Sequence, residues 1–253
     1  MRRIYLSGVF ACVSFVMFLS SCSNIEKIQG ADKAETYYLR GEAYLKESSY
    51  EQALEKFNLV KNKFPYSKYA VDAELRIADT YYQKGDYIDA QKQYELFSEF
   101  HPADPRRDYA IYYSGMSYYE LLPSGIDRDL SYGPKALAEF RALMELFPNS
   151  TYFKEALDKY TSVRMKLAEK EAYIGNFYRK KGEYDSAVGR FKGVLDNYSG
   201  LGFDDKMYKE IINCYIKQDK KEDAISYLDI YIAGYPDGTN IDWARKTREG
   251  LEK

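Results

Sequence analysis

The chain has 253 residues, 30% of them charged and 45% hydrophobic, with a formal net charge of −2. That is enough apolar material for one large domain or two small ones, and the near-neutral balance excludes the global basic field that nucleic acid requires. One His and three Cys exclude a His/Cys metal cluster and a disulfide scaffold, while 28 Tyr against one Trp suit helix-pair cores and peptide-binding surfaces.

In chain order, the first element is a leader. Arg2 and Arg3 precede an apolar stretch over residues 4–19, which ends in Leu19-Ser20-Ser21-Cys22. A basic start followed by this run reads as an export signal, too short for a membrane span, which takes about 20 residues. The closing tetrad resembles the bacterial lipobox. Two small residues leave room for a peptidase, and the Cys thiol is the soft nucleophile that takes a diacylglycerol. The resemblance implies a signal peptide over residues 1–21 and cleavage before Cys22. The covalent lipid on Cys22 is the one non-protein group expected, and no cofactor is. Several acyl chains anchor stably at ~0.8 kcal/mol per buried methylene. Asp after the Cys is the familiar inner-membrane retention signal, so Ser23 favours the outer membrane. An ordinary secretory signal with an incidental Cys22 is the alternative. Residues 22–32 then read as a polar tether. Cys214, alone in the mature body, reads as a buried free thiol.

The body carries one frame five times: a small residue, an Ala twelve positions later, an aromatic residue or Leu four beyond, and usually a Pro eight further on. The segments are Gly41-Ala53-Phe57-Pro65, Ala78-Ala90-Tyr94-Pro102, Gly115-Ala136-Phe140-Pro148, Gly175-Ala187-Phe191-Ser199 and Ile212-Ala224-Leu228-Pro236. The frame fits helix-turn-helix repeats of the tetratricopeptide type. In repeat one, Tyr37, Gly41, Tyr44 and Leu45 mark a first helix and Tyr50, Ala53, Phe57 and Val60 a second. Close approach of the two helices at Gly41 and Ala53 explains the small residues. In repeat two, Gly85 suits a helix end that needs positive φ. Repeat three is interrupted over residues 121–133, where Pro123 and Gly125 predict an exposed loop. After Asn149-Ser150, no breaker appears over residues 151–181, which predicts one helix of about 30 residues, roughly 45 Å long. Ile241, Trp243 and Ala244 predict a final capping helix.

The fold class is therefore all-α: a helical-repeat solenoid of five helix-turn-helix units. It forms an N-terminal module over residues 33–149 and a C-terminal module over 150–253, joined by the long helix as a strut. Catalytic constellations are missing from the sequence. His101 stands alone before Pro102, no phosphate-cradling glycine loop is present, and carboxylate pairs read as solvated helix surface. The chain reads as a binding scaffold without catalytic or metal residues. By phase from the small residue, the concave face of the first helices carries Tyr38 and Leu45, then Asp72, Asp79 and Tyr82, then Tyr109, Tyr112 and Tyr119. Tyr38, Leu45, Tyr82, Tyr112 and Tyr119 are the candidate groove for a peptide with aromatic side chains.

Five features together resemble the BamD family, lipoproteins of the outer membrane β-barrel assembly machinery. They are the lipobox, the repeats, Asp127-Arg128-Asp129 in the interrupted third repeat, the run Pro148-Asn149-Ser150-Thr151-Tyr152, and the stretch from Lys166-Leu167-Ala168-Glu169 to Lys181-Gly182. The resemblance implies a non-enzymatic scaffold lipid-anchored at the periplasmic face of the outer membrane. It implies that the C-terminal repeats bind a POTRA domain of a BamA-like barrel subunit. It also implies that the N-terminal repeats receive the C-terminal signals of unfolded outer membrane proteins, with other assembly lipoproteins as further partners. The family's BamA-contacting Arg falls in Ala187-Val188-Gly189-Arg190-Phe191, which makes Arg190 the candidate contact. The alternative is a lipid-anchored repeat protein whose tyrosines stack on a glycan or peptidoglycan.

Overall fold

The computed structural model describes residues 24–252, so Cys22 and the expected signal peptide lie outside the described residues. Eleven helices follow one another from Lys33, with no strand among the described residues: α1 (Lys33–Lys46), α2 (Tyr50–Lys63), α3 (Ala70–Lys84), α4 (Tyr87–Phe100), α5 (Arg107–Glu120), α6 (Tyr132–Leu146), α7 (Phe153–Lys180), α8 (Tyr184–Tyr198), α9 (Asp204–Lys217), α10 (Lys221–Gly234) and α11 (Ile241–Glu252). This is the all-α, repeat-built fold that the sequence frame predicts.

The chain divides into two compact units. The first holds everything to Leu121 plus residues 138–153, and the second holds residues 122–137 and 154–253. In the first, α1 to α5 pack each on the next; in the second, α8 to α11 do the same. The inserted segment thus belongs to the second unit, whereas the sequence boundary kept it in the first module. The reason is local. Lys170 Nζ donates to the Arg128 carbonyl at 2.5 Å, Lys166 Nζ reaches the Pro123 carbonyl, and Leu130 is buried. The segment is pinned along α7 rather than left as a free loop.

The small residue of the frame has a sharper purpose than close helix approach. A Cβ at Gly41 would lie 2.6 Å from the Phe57 ring, one at Gly115 2.8 Å from Phe140, and one at Gly175 2.4 Å from Phe191. All three rings are fully buried. The ring four residues after the Ala therefore lies on the glycine of its own repeat. Gly175→Ala is expected to lower stability by about 1–3 kcal/mol, because the buried ring cannot move aside without strain. Thermal melts read the loss, and a second substitution, Phe191→Leu, should recover part of it.

A second rule runs through the turns. Ser48, Gly85, Gly182 and Asp219 have φ of 57°, 86°, 79° and 57°. Each sits seven residues after the first position of its repeat's frame (Gly41, Ala78, Gly175 and Ile212), and each ends a first helix in the left-handed region. Only the interrupted third repeat departs from it. The helix after the third repeat spans 28 residues, close to the predicted length, and buries mainly small side chains: Ala156, Ala168, Ala172 and Gly175.

Residues 24–31 are not the loose tether that their polarity suggests. Ile25 is 3% exposed and packs in the core of the first repeat with Tyr44, Leu54 and Phe57. Glu26 accepts hydrogen bonds from Arg40 at 2.6 Å and from Tyr44 at 2.5 Å. Two isoleucines dock the segment: Ile25 inside the core and Ile28, partly buried, against it.

Burial pushes the Glu139 carboxyl on α6 up to about 7, and the Glu95 carboxylate adds to the shift. A raised carboxyl means that the folded chain holds this proton more tightly than the unfolded chain does. The cost is absent below the ordinary value of 4.5, grows between there and about 7, and is constant above. Glu139→Gln is therefore expected to stabilise the protein at pH ~8 by up to about 3 kcal/mol and to change little near pH ~4. Denaturant melts across that range check the slope.

Candidate functional site

A groove of about 410 Å³ opens in the first unit, lined by residues of α1, α3, α5 and the segment before α7: Tyr38, Arg76, Asp79, Arg106, Tyr109 and Tyr152 among them. Its floor is Asp79, 4% exposed. Asp79 accepts hydrogen bonds from Tyr94 at 2.8 Å, Tyr109 at 2.7 Å and Arg76 at 2.9 Å. Three donors offset the cost of burying the carboxylate. Burial first, and Asp79 second, push both tyrosine hydroxyls well above their ordinary range, so they remain donors at any physiological pH.

Two guanidinium groups rise from this floor. Burial works against the Arg76 charge, but Glu42, Tyr38 and Asp79 outweigh it and hold the group charged. Arg76 Nε meets Glu42 at 2.7 Å. Arg106 is clamped by Asp104 at 2.8 Å and by Asp72 at 2.6 Å. The hydrogen bonds that Arg106 donates to Asp104 lead in raising its pKa. The two side chains remain 39% and 38% exposed. Each is thus preoriented by acids on its flank and open to the groove, a geometry suited to planar, bidentate carboxylate recognition. The rings complete the walls. Tyr38 stacks on Tyr69 with centroids 5.2 Å apart. Tyr109 meets Tyr152 edge-on at 5.9 Å.

Of the five sequence-predicted groove residues, only Tyr38 lines this groove. Leu45 is 7% exposed and belongs to the first-repeat core. Tyr112 is 3% exposed and lies behind the wall, stacked on Tyr152 at 4.8 Å. Tyr82 packs edge-on against Tyr113 at 5.1 Å and Tyr87 at 5.4 Å, in the core of the second repeat. Tyr119 is half-buried outside the lining set. The phase argument chose helices that do line this groove, but large rings fill the space between helix pairs first. The arginines were missed. The signal for them was available, because Arg76 and Asp79 are a helical turn apart inside the apolar run Leu75 to Tyr82, where an ion pair needs a reason.

In the second unit, Arg190 projects from α8 just before the buried Phe191, which places it on the outer face. Its side chain is 44% exposed and pairs with Glu171 of α7 at 2.9 Å. An exposed pair of this kind is worth about 0–1 kcal/mol, so a partner's carboxylate can take the guanidinium over at little cost. His101 meets Glu74 at 2.8 Å, and no group of three metal-ligating side chains occurs among the described residues. Cys214 is buried, and desolvation pushes its thiol up to about 11.

Comparison with known proteins places the chain in a family. The family model described as "Outer membrane lipoprotein" (YfiO) matches residues 30–206, and a tetratricopeptide-repeat model matches 211–238. The chain is similar to the outer membrane protein assembly factor BamD of Neisseria gonorrhoeae, at 27% identity over 93% of this chain and 92% of that one. It is similar to BamD of Rickettsia prowazekii at 29% identity, over 82% and 81% of the two chains. It is also similar to BamD of Caulobacter vibrioides at 27% identity, over 75% of this chain and 62% of the relative. The YfiO match alone spans more than half of the chain, from the docked N-terminal segment into α9, and the chain therefore belongs to the YfiO/BamD family of outer membrane lipoproteins.

Proposed function

We propose that this protein is a non-enzymatic lipoprotein scaffold of the outer membrane β-barrel assembly complex. It is anchored at the periplasmic face by lipid on Cys22. Its C-terminal repeats dock on a POTRA domain of a BamA-like barrel subunit through Arg190. Its N-terminal unit receives the C-terminal segments of unfolded outer membrane proteins. The observation that carries the reading is the groove of Tyr38, Tyr109 and Tyr152 around two half-exposed arginines, in a chain of this family. Aromatic rings suit an aromatic-rich segment, and paired guanidinium groups suit its terminal carboxylate.

The docking part is tested by reversal of one charge. Arg190→Glu is expected to lower co-purification of the barrel subunit from membranes by tenfold or more, since it replaces an attraction with a repulsion worth about 1.4 kcal/mol or more. Its circular dichroism and melting temperature should stay near wild type, because the lost Glu171 pair contributes little. Undiminished co-purification would remove Arg190 from the interface.

A further inference from the structure

Residues 24–31 are bound along the first repeat. The segment runs antiparallel to α1. Ile25 enters the core beside Tyr44 and Leu54. Glu26 takes Arg40 and Tyr44 and lies 3.8 Å from Lys56 of α2. Farther along, Arg40 Nε donates to the Ile28 carbonyl at 3.0 Å, and Gly30 N donates to Thr36 Oγ1 at 3.0 Å. The start of the segment is therefore at the end of the α1–α2 pair that carries their connecting turn. Its finish, at Asp32, is at the opposite end, beside Lys33, Pro65 and Tyr66.

Three peptide units separate Cys22 from the buried Ile25, a reach of about 10 Å at most. The α1 helix has 14 residues and is about 21 Å long. An anchor with so short a lead cannot serve both ends of the helix pair equally. We propose that residues 24–31 are a strap that holds the α1–α2 turn edge, with exposed Lys46 at its rim, on the lipid headgroups, and that this edge is a membrane-contacting surface of the protein. The partner is the headgroup layer itself. The proposal rests on the lipidated Cys22 of the proposed function. The strap fixes how the first repeat meets the bilayer, where a flexible tether would let it tumble.

The test uses full-length acylated protein on vesicles of phosphatidylethanolamine and phosphatidylglycerol carrying a headgroup nitroxide. An environment-sensitive fluorophore is placed at Lys46→Cys or at Tyr66→Cys, the latter site fully exposed at the far end of the pair. Cys214 is buried and its thiol is suppressed, so it does not compete for label. Quenching is expected to be several-fold stronger at position 46 than at 66. Inserting about twelve Gly/Ser residues after Ser23, ~20 Å of mean reach, leaves the strap and the fold intact and should erase that difference. Ile25→Asp should erase it by releasing the strap. Equal quenching at the two sites in the wild-type protein, or a difference that survives the insertion, overturns the proposal while leaving the anchor standing. Failure of the acylated protein to float with the vesicles overturns the anchor and the proposal together.

Discussion

Replacing Asp79 with leucine is expected to destabilise the protein by about 3–5 kcal/mol, the cost of breaking a buried charged network by removing one partner. Asp79 is 4% exposed and is the shared acceptor for Tyr94, Tyr109 and Arg76. Tyr94 is itself 1% exposed, so its hydroxyl would be left buried without an acceptor, and the Arg76 charge would lose its inner partner. Asp79→Asn keeps an acceptor but not the charge, and should cost about half as much. Urea unfolding measures both. Adding Tyr94→Phe to the leucine variant removes the stranded hydroxyl and should recover about 1 kcal/mol, a coupling that independent residues would not show. Wild-type stability for Asp79→Leu would mean that the floor of the groove is not held as described.

The second large effect concerns the ligand. A peptide of about ten residues with alternating aromatic side chains and a free C-terminal carboxylate is expected to bind about tenfold to a hundredfold more tightly than the same peptide amidated, the ~1.5–3 kcal/mol of one charge-assisted hydrogen-bonded pair. Arg106→Ala should erase the difference between acid and amide while leaving part of the ring-driven affinity. Tyr38→Ala should weaken both peptides alike. Arg106 is the cleaner probe of the two arginines, because its partners Asp72 and Asp104 are not in the Asp79 network. Fluorescence anisotropy with labelled peptides reads all of these. Identical affinities of acid and amide for the wild-type protein would exclude carboxylate recognition in this groove.

The repeat fold was legible because its physics is periodic. Apolar spacing placed the first four helices and the long α7, and Pro65, Pro102 and Pro148 marked helix ends. The left-handed turn was visible at Gly85 but hidden at Ser48 and Asp219, where a short polar residue accepts a positive φ that sequence reading reserves for glycine. The groove was only partly legible. Helical phase says which way a side chain starts, not whether a neighbouring repeat covers it. So Leu45 and Tyr112 went to the core, while Arg76 and Arg106 stayed more than a third exposed, held by acids on their flanks. The docked N-terminal segment was unreadable for a related reason: Ile25 and Ile28 are two apolar residues in a polar stretch, and periodicity needs more.

The ring-on-glycine contact joins two residues of the first, third and fourth repeats into one shared volume. Glycine goes with phenylalanine in the first, third and fourth repeats. The fifth repeat shows the trade: its small position grows to Ile212 and the ring gives way to Leu228 in the same cluster, whereas the second repeat holds Ala78 and Tyr94 together without one. Mutational paths through such a protein are therefore steep at either member alone and shallow along the diagonal. Repeats of this kind can diverge in sequence only by moving both letters of the pair, and a library randomised at the two positions together should contain folded members that no single substitution reaches.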